Sequence, residues 1–354
     1  FKQKTAYEIS LGLVGSEMCI RDRFLRGPMR IDIDKISKDY SEKNILVIGD
    51  IILDAYIFGT VDRISQEAPV PIVSIAEKNF KPGGAANVAL NLSGLGANVQ
   101  LIGLTGSGIN CDELQKCFEK NNNINLHLVK DEGRPTSVKT RIIADGKQVV
   151  RLDDEATNEI NQIHKEKLKS VFDANSKNID GIIIEDYNKG TLPSDVIVHI
   201  IDSASKNSIP VYVDPKYDNY EHYKGVRLFK PNLVEYNTIV RNKNFGVLPE
   251  SGFKFKEYIN SEILLLTLGD KGMSLYFDDN YNQIPTKARK VYDVSGAGDT
   301  VIATFAMNDI CGLDPLESSI IANLAAGRVC EEIGVFPINV DALKEISSHH
   351  NKMD

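Results

Sequence analysis

The chain has 354 residues and carries 49 Asp and Glu against 41 Lys and Arg, a formal charge of −8. That is length for one large domain or two modest ones, and the acidic balance gives no basic face for nucleic acid, so an anionic ligand has to be held by a few local cations. Five cysteines without a CxxC pair make neither a disulfide framework nor a zinc site, and no apolar run reaches the ~20 residues that span a bilayer, which leaves a cytoplasmic protein without membrane contact as the expectation.

The chain opens on Phe1, and FKQKTAYEISLGLVGSEMCIRDR has neither helical nor strand periodicity. It resembles translated linker or read-through sequence. Residues 1–28 are therefore expected to be a non-native or disordered leader, and 29–354 a single domain with a native start near Met29. The first clear element is the apolar run Ile45-Leu46-Val47-Ile48, which ends in Gly49-Asp50. Tyr56 to Ile75 is rich in β-branched residues and reads as strand. Pro82-Gly83-Gly84-Ala85-Ala86-Asn87 follows, running into a helix over Val88 to Leu95 that stops at Gly96. The paired glycines let backbone approach a ligand, and Asn87 offers a donor and an acceptor to a polyol.

Thr136 to Leu152 predicts a hairpin, with Asp145-Gly146 as its turn. With Tyr56 to Ile75 it forms a small β excursion, expected to act as a lid over 56–75 and 136–152. Glu166 to Phe172 reads as helix, then three further buried strands end in polar groups: Ile182-Ile183-Ile184 into Glu185-Asp186, Val211-Tyr212-Val213 into Asp214, and Ile263 to Leu266 into Thr267. Continuous apolar runs alternating with helices predict an α/β fold, a doubly wound, mostly parallel sheet flanked by helices, with ligands at the carboxyl ends of its strands.

Three motifs lie on that second half. Lys230-Pro231-Asn232-Leu233-Val234-Glu235 puts Asn232 and Glu235 on one face of a helix start, where Glu235 can hold Mg²⁺ through water, or simply favour the helix N-terminus. In Thr267-Leu268-Gly269-Asp270-Lys271-Gly272 the glycines can let a nucleotide lie against backbone, or simply make an ordinary turn after the strand. Asp293-Val294-Ser295-Gly296-Ala297-Gly298-Asp299-Thr300 enters an amphipathic helix, an anion site built from first-turn amides. A carboxylate there can simply favour the helix N-terminus, or it can serve as base, Asp299 taking a proton from an attacking hydroxyl while the Ala297 and Gly298 amides hold the charge on a transferred phosphoryl group. GxxxxGK[ST], GxGxxG after the first strand, HExxH, GxSxG and HRD are all absent, which removes P-loop enzymes, nicotinamide-binding units, zinc proteases, α/β-hydrolases and protein kinases.

GGAAN, PNLVE, TLGDKG and DVSGAGDT, in this order across Asn44 to Val340, resemble the ribokinase-like sugar kinases, also called the phosphofructokinase B family. Gly49 to Asp54, the stretch Arg63 to Pro71, Glu185 to Gly190, Asp214-Pro215-Lys216 and Val291-Tyr292-Asp293 resemble within it the D-glycero-β-D-manno-heptose 7-phosphate kinases of ADP-heptose synthesis. The resemblance implies ATP and Mg²⁺ as cofactors, Asp299 as base toward the anomeric hydroxyl with the Gly296, Ala297 and Gly298 amides as anion hole, and Asn232, Glu235, Thr267, Gly269, Gly272 and Asn323 at the nucleotide. It implies sugar contacts from Asp50, Asp54, Gly83, Gly84, Asn87 and Asp186, and a homodimer joined through lid strands. Arg63, Lys139, Arg141, Lys189 and Lys216 are the candidate cations for the sugar's 7-phosphate, with Arg63 and Lys216 ranked first because they lie inside subgroup motifs. Ser295 stands where threonine is common in the subgroup. Only a short polar stretch follows Val340, so no second, nucleotidyltransferase activity is expected. The competing readings are another carbohydrate kinase of the family, which would not need the phosphate clamp, and a non-catalytic sugar-binding regulator, which would be expected to have lost Asp299.

Overall fold

The computed structural model describes residues 30–353 apart from 242, 244, 287–289 and 333; the expected leader lies outside the described residues. A short helix α1 (Ile33–Ile36) leads into β1 (Asn44–Ile64), β2 (Pro71–Gly84), α2 (Ala85–Leu95), β3 (Asn98–Thr105), α3 (Ile109–Lys116), β4 (Ile124–Lys130), β5 (Ser137–Ala144) and β6 (Lys147–Asp154). The second half runs α4 (Gln162–Asn175), β7 (Gly181–Glu185), α5 (Ser194–Lys206), β8 (Val211–Asp214), β9 (Leu228–Phe229), α6 (Leu233–Val240), α7 (Glu250–Ile259), β10 (Ile263–Thr267), β11 (Met273–Phe277) and β12 (Asn280–Ile284). Three helices close it: α8 (Ala297–Ile310), α9 (Pro315–Val329) and α10 (Val340–Met353). None of the described helices is long and apolar enough to cross a membrane.

The main sheet has the order β12-β11-β10-β9-β8-β7-β1-β3-β4, parallel from β10 to β4 and antiparallel at the β10-β11-β12 edge. Its strands are apolar on both faces because both are covered. Ile45 and Val47 of β1 pack in the core beneath α2, α8, α9 and α10, and Leu46 and Ile48 in the opposite core beneath α4, α5, α6 and α7. This is the doubly wound α/β fold that the alternation of apolar runs and helices predicts.

The excursion differs from the expectation in one respect: it is not a separate element, because β1 runs unbroken for 21 residues through two sheets. Up to Asp50 it pairs with β3, and up to Gly49 with β7; from Ile51 and Ile52 onward it pairs with β2 and β5. The second sheet has the order β2-β1-β5-β6, with Asp145 (φ 51°) and Gly146 (φ 75°) forming the β5-β6 turn in the left-handed geometry a two-residue hairpin needs.

Gly49 sits where β1 and β7 come closest. A Cβ there would lie 2.0 Å from the Glu185 carbonyl oxygen, a backbone atom with no room to retreat. Gly49→Ala is expected to cost roughly 2–4 kcal/mol by prying the two strands apart. The urea midpoint of the ligand-free chain measures it, and an unshifted midpoint would refute the packing argument.

Candidate active site

The chain leaves β1 in one direction, to β3 and β4, and returns on the other side through β7, β8 and β9. The crevice at such a reversal, outside the carboxyl ends of the strands, is where open α/β sheets bind ligands. Asp50, Glu185, Asp186, Asp214 and Lys230 all stand at that edge, and α8 begins above them. A Cβ on Gly298 would lie 3.6 Å from Lys230 Nζ and 3.7 Å from Asp214 Oδ2.

Gly296 precedes α8 with φ 80°, a left-handed turn that glycine makes at least cost. The Ala297 amide, expected to face an anion, donates to the Val294 carbonyl at 3.2 Å. What the helix start offers a ligand is therefore the Gly298 and Asp299 amides, first-turn donors without a helical acceptor.

Asp299 is 3 % exposed. Asn87 Nδ2 donates to its Oδ2 at 2.7 Å and the Tyr187 hydroxyl to its Oδ1 at 2.9 Å. Burial pushes its pKa up to about 6; the Asn87 bond opposes the rise and the neighbouring Asp214 charge adds to it. Oxygens of Glu185, Asp214 and Asp299 lie within 4.8 Å of one another, and Glu185 Oε2 is buried without a hydrogen-bond partner. Burial, then the charges of Asp214 and Asp299, hold the Glu185 carboxyl well above the usual range. Lys230, 2 % exposed, answers this negative charge with a bond to Asp214 Oδ2 at 2.7 Å. Burial works against its ammonium, but Asp214 and Glu185 more than offset that and keep it charged.

On the α8 side of these groups opens a cavity of about 850 Å³, whose walls include Lys216, Thr267, Gly269, Gly272 and Asn323, a volume suited to a cofactor-sized ligand. Asn323 Nδ2 donates to the Pro285 carbonyl at 2.8 Å. Asn232 and Glu235 form a capping box for α6, the Asn232 side chain accepting from the Val234 and Glu235 amides and Glu235 Oε2 accepting from the Asn232 amide. The second Glu235 oxygen takes Lys216, whose ammonium also lies 5.1 Å from the Tyr187 ring centroid. Lys216 thus stands with the nucleotide candidates.

The other predicted residues gather around β1, β2, β5 and the loop after β7, and of them Asp186 also lines the cavity. Asp50 Oδ2 accepts the Tyr187 and Lys189 amides at 2.8 and 3.0 Å, while its buried Oδ1 has no partner. Asp54 pairs with Arg141; burial raises the Asp54 carboxyl, and the guanidinium opposes the rise. Gly83 and Gly84 end β2 against these strands, and Cβ atoms on them would lie 2.3 Å from Asp54 Oδ2 and 2.5 Å from the Asp50 carbonyl oxygen. Asp186 is tied into its surroundings by Asn188, Asn219 and Tyr223. Lys139 and Lys189 converge on Glu155, at 3.1 and 2.6 Å. Arg63 is not brought to this cluster. It is exposed, nine residues beyond Asp54 on an extended strand, about 30 Å away along the chain.

Tyr187, Lys230, Glu185, Asp214 and Glu155 were not among the predicted site residues. Lys230 follows a strand of only two residues, too short to show as periodicity. Tyr187 and Glu155 make their contacts across the fold, with residues 112 and 34 positions away.

Residues 42–340 match the pfkB family carbohydrate kinases. The chain is 39 % identical over 303 residues to the bifunctional protein HldE of a Nitratiruptor species, covering 85 % of this chain and 64 % of that protein. It is 37 % identical over 310 residues to HldE of Haemophilus influenzae, covering 87 % and 64 %, so the chain spans somewhat under two thirds of these relatives' length. Its fold is shared with phosphofructokinase-2 from Escherichia coli (TM-score 0.73, 17 % identity, 87 % of this chain and 99 % of that one). It is shared also with a ribokinase from Arabidopsis thaliana (TM-score 0.65, 16 % identity, 86 % and 98 %). The buried carboxylate in the first turn of α8, above the crevice at the sheet's reversal point, is thus found in a chain that belongs to the pfkB family of carbohydrate kinases.

Proposed function

We propose that the chain transfers the γ-phosphoryl group of ATP to the anomeric hydroxyl of D-glycero-β-D-manno-heptose 7-phosphate, giving the 1,7-bisphosphate, a cytoplasmic step toward ADP-heptose and the lipopolysaccharide core. The observation that carries the transfer is Asp299, buried between two donors with the α8 amides beside it and Lys230 below. Asp299 takes the proton of the attacking hydroxyl, the hydroxyl oxygen bonds to the γ-phosphorus, and the bond to the β,γ-bridging oxygen breaks as ADP leaves. Positioning and charge stabilisation supply the rate, as phosphoryl transfer requires. The Gly298 and Asp299 amides and the Lys230 ammonium are placed to meet the charge on the phosphoryl oxygens.

Mg²⁺ fits the donor set, because hard carboxylate oxygens cluster here and Glu185 Oε2 is unpartnered. Glu185 and Asp214 would hold it, with Glu235 through water; when bound, it neutralises phosphate charge. The sugar occupies the side lined by Asp50, Asp54, Gly83, Gly84, Asn87 and Asp186. Its 7-phosphate is met by Lys139 and Lys189, the two ammonium groups that share Glu155 in the ligand-free chain.

The test is ATP consumption with heptose 7-phosphate beside ribose, fructose 6-phosphate and no sugar. Selective turnover of the heptose phosphate is expected; preference for another sugar would keep the kinase and overturn the substrate. Lys189→Met should raise the KM for the heptose phosphate about tenfold or more and leave that for ATP unchanged, and equal effects on both would place the 7-phosphate elsewhere.

The second sheet serves as lid and as dimer contact in this reading. The strand register sets Ile57, Ile142 and Val150 in one row and Ala55, Thr140 and Leu152 in the next, with Val150 and Leu152 exposed, whereas Asp54, Lys139 and Arg141 occupy the other face. An exposed apolar face opposite a polar, site-facing one suits a second copy of the chain.

A further inference from the structure

One side chain at the centre of the site has no role in the reaction as described. The Tyr187 amide is held by Asp50 at 2.8 Å, its hydroxyl donates to Asp299 Oδ1 at 2.9 Å, and the Lys216 ammonium lies 5.1 Å from its ring centroid. The phenol therefore touches the base with its edge and the nucleotide-side cation with its face.

We propose that Tyr187 is a positioning residue of the phosphoryl transfer, orienting the Asp299 carboxylate through Oδ1 and setting its distance to the Lys216 side of the nucleotide cavity. The proposal rests on the reading of Asp299 as base. Asn87 on Oδ2 and Tyr187 on Oδ1 together fix the plane of the carboxylate. Each oxygen keeps a further lone pair, so the base can still accept the hydroxyl proton. Without the Tyr187 bond the carboxylate can turn about its Cβ–Cγ axis, and an error of about 1 Å in the position of a reacting group costs up to about a hundredfold in rate. Glu235 also holds Lys216, so the ring is a second support for that cation.

Two substitutions separate these contacts from packing. Tyr187→Phe keeps the ring and removes only the hydroxyl; it is expected to lower kcat roughly 10- to 100-fold with the KM for ATP and for the sugar within about twofold of the parent. Tyr187→Leu also removes the ring face, and is expected to show the same loss in kcat with a KM for ATP raised about fivefold. ADP binding by calorimetry verifies that each variant is folded. A phenylalanine variant with kcat within about twofold of the parent overturns the proposal, as does a rise in both KM values at unchanged kcat, the pattern of a purely structural ring. If the parent prefers another sugar, the substrate assignment fails, while the same comparison on that sugar still decides the role of Tyr187.

Discussion

Asp299→Asn is expected to lower kcat by about 10³-fold or more while leaving the folded chain at least as stable as the parent at pH 7.5. The loss in rate is that of a general base. The stability follows from linkage. Burial lifts this carboxyl from 3.8 to about 6, so between those values the folded state binds more protons than the unfolded one. The contribution of Asp299 to stability is therefore greatest below pH 4 and declines as pH rises through 6. Above that, keeping the buried carboxylate ionised costs up to about 3 kcal/mol for a shift of about two pH units. A neutral amide removes this cost, and the Tyr187 hydroxyl can turn to accept from it. Urea unfolding at pH 7.5 should give a midpoint equal to or above the parent's. The same pKa places the acid limb of kcat/KM near pH 6, activity falling as the base is protonated below it. A variant that retains full activity would end the assignment of Asp299 as base, and a sharply lower midpoint would mean that the carboxylate is ionised at a net gain to the fold.

Lys230→Met is expected to be the opposite kind of change, harmful to stability and rate together. The ammonium is buried against Asp214, with Glu185 alongside. Removing it leaves buried negative charge without compensation, which costs about 3–5 kcal/mol. It also removes the cation nearest Gly298, with an expected fall in kcat of about a hundredfold. Urea unfolding of Lys230→Met, of Asp214→Asn and of the double variant checks the stability claim, since the double variant carries neither member of the pair and should regain most of the lost midpoint. A methionine variant as stable as the parent would show that the carboxylates are neutral without the lysine.

The fold was readable where the physics is local. Ile45 to Ile48, Ile182 to Ile184, Val211 to Val213 and Ile263 to Leu266 are apolar on both faces because helices cover both, and runs of that kind with helices between them leave few arrangements. Asp145-Gly146 specified its turn through the positive φ that both residues adopt. The continuity of β1 was not readable, because its change of partners after Asp50 depends on where β2 and β5 lie, and nothing local to residues 44–64 encodes that.

The candidate site divides in the same way. Gly296 to Asp299 announced a glycine turn feeding a helix with a carboxylate in its first turn, because such a turn is written in consecutive residues. Arg63 and Lys216 show the limit of a motif: both lie in informative stretches, yet one stands at the far end of the second sheet and the other in the wall of the large cavity beside α8. Sequence by itself determined the fold class, the helix-start carboxylate and the family, since each rests on local backbone chemistry or on residue order. Only the tertiary structure decided which buried charges meet. Tyr187 meets Asp299 from 112 positions away and Lys189 meets Glu155 from 34, while Lys230 and Asp214 come together at the ends of the neighbouring strands β9 and β8 and Lys139 and Glu155 along the β5-β6 hairpin, so each contact depends on which strands pair.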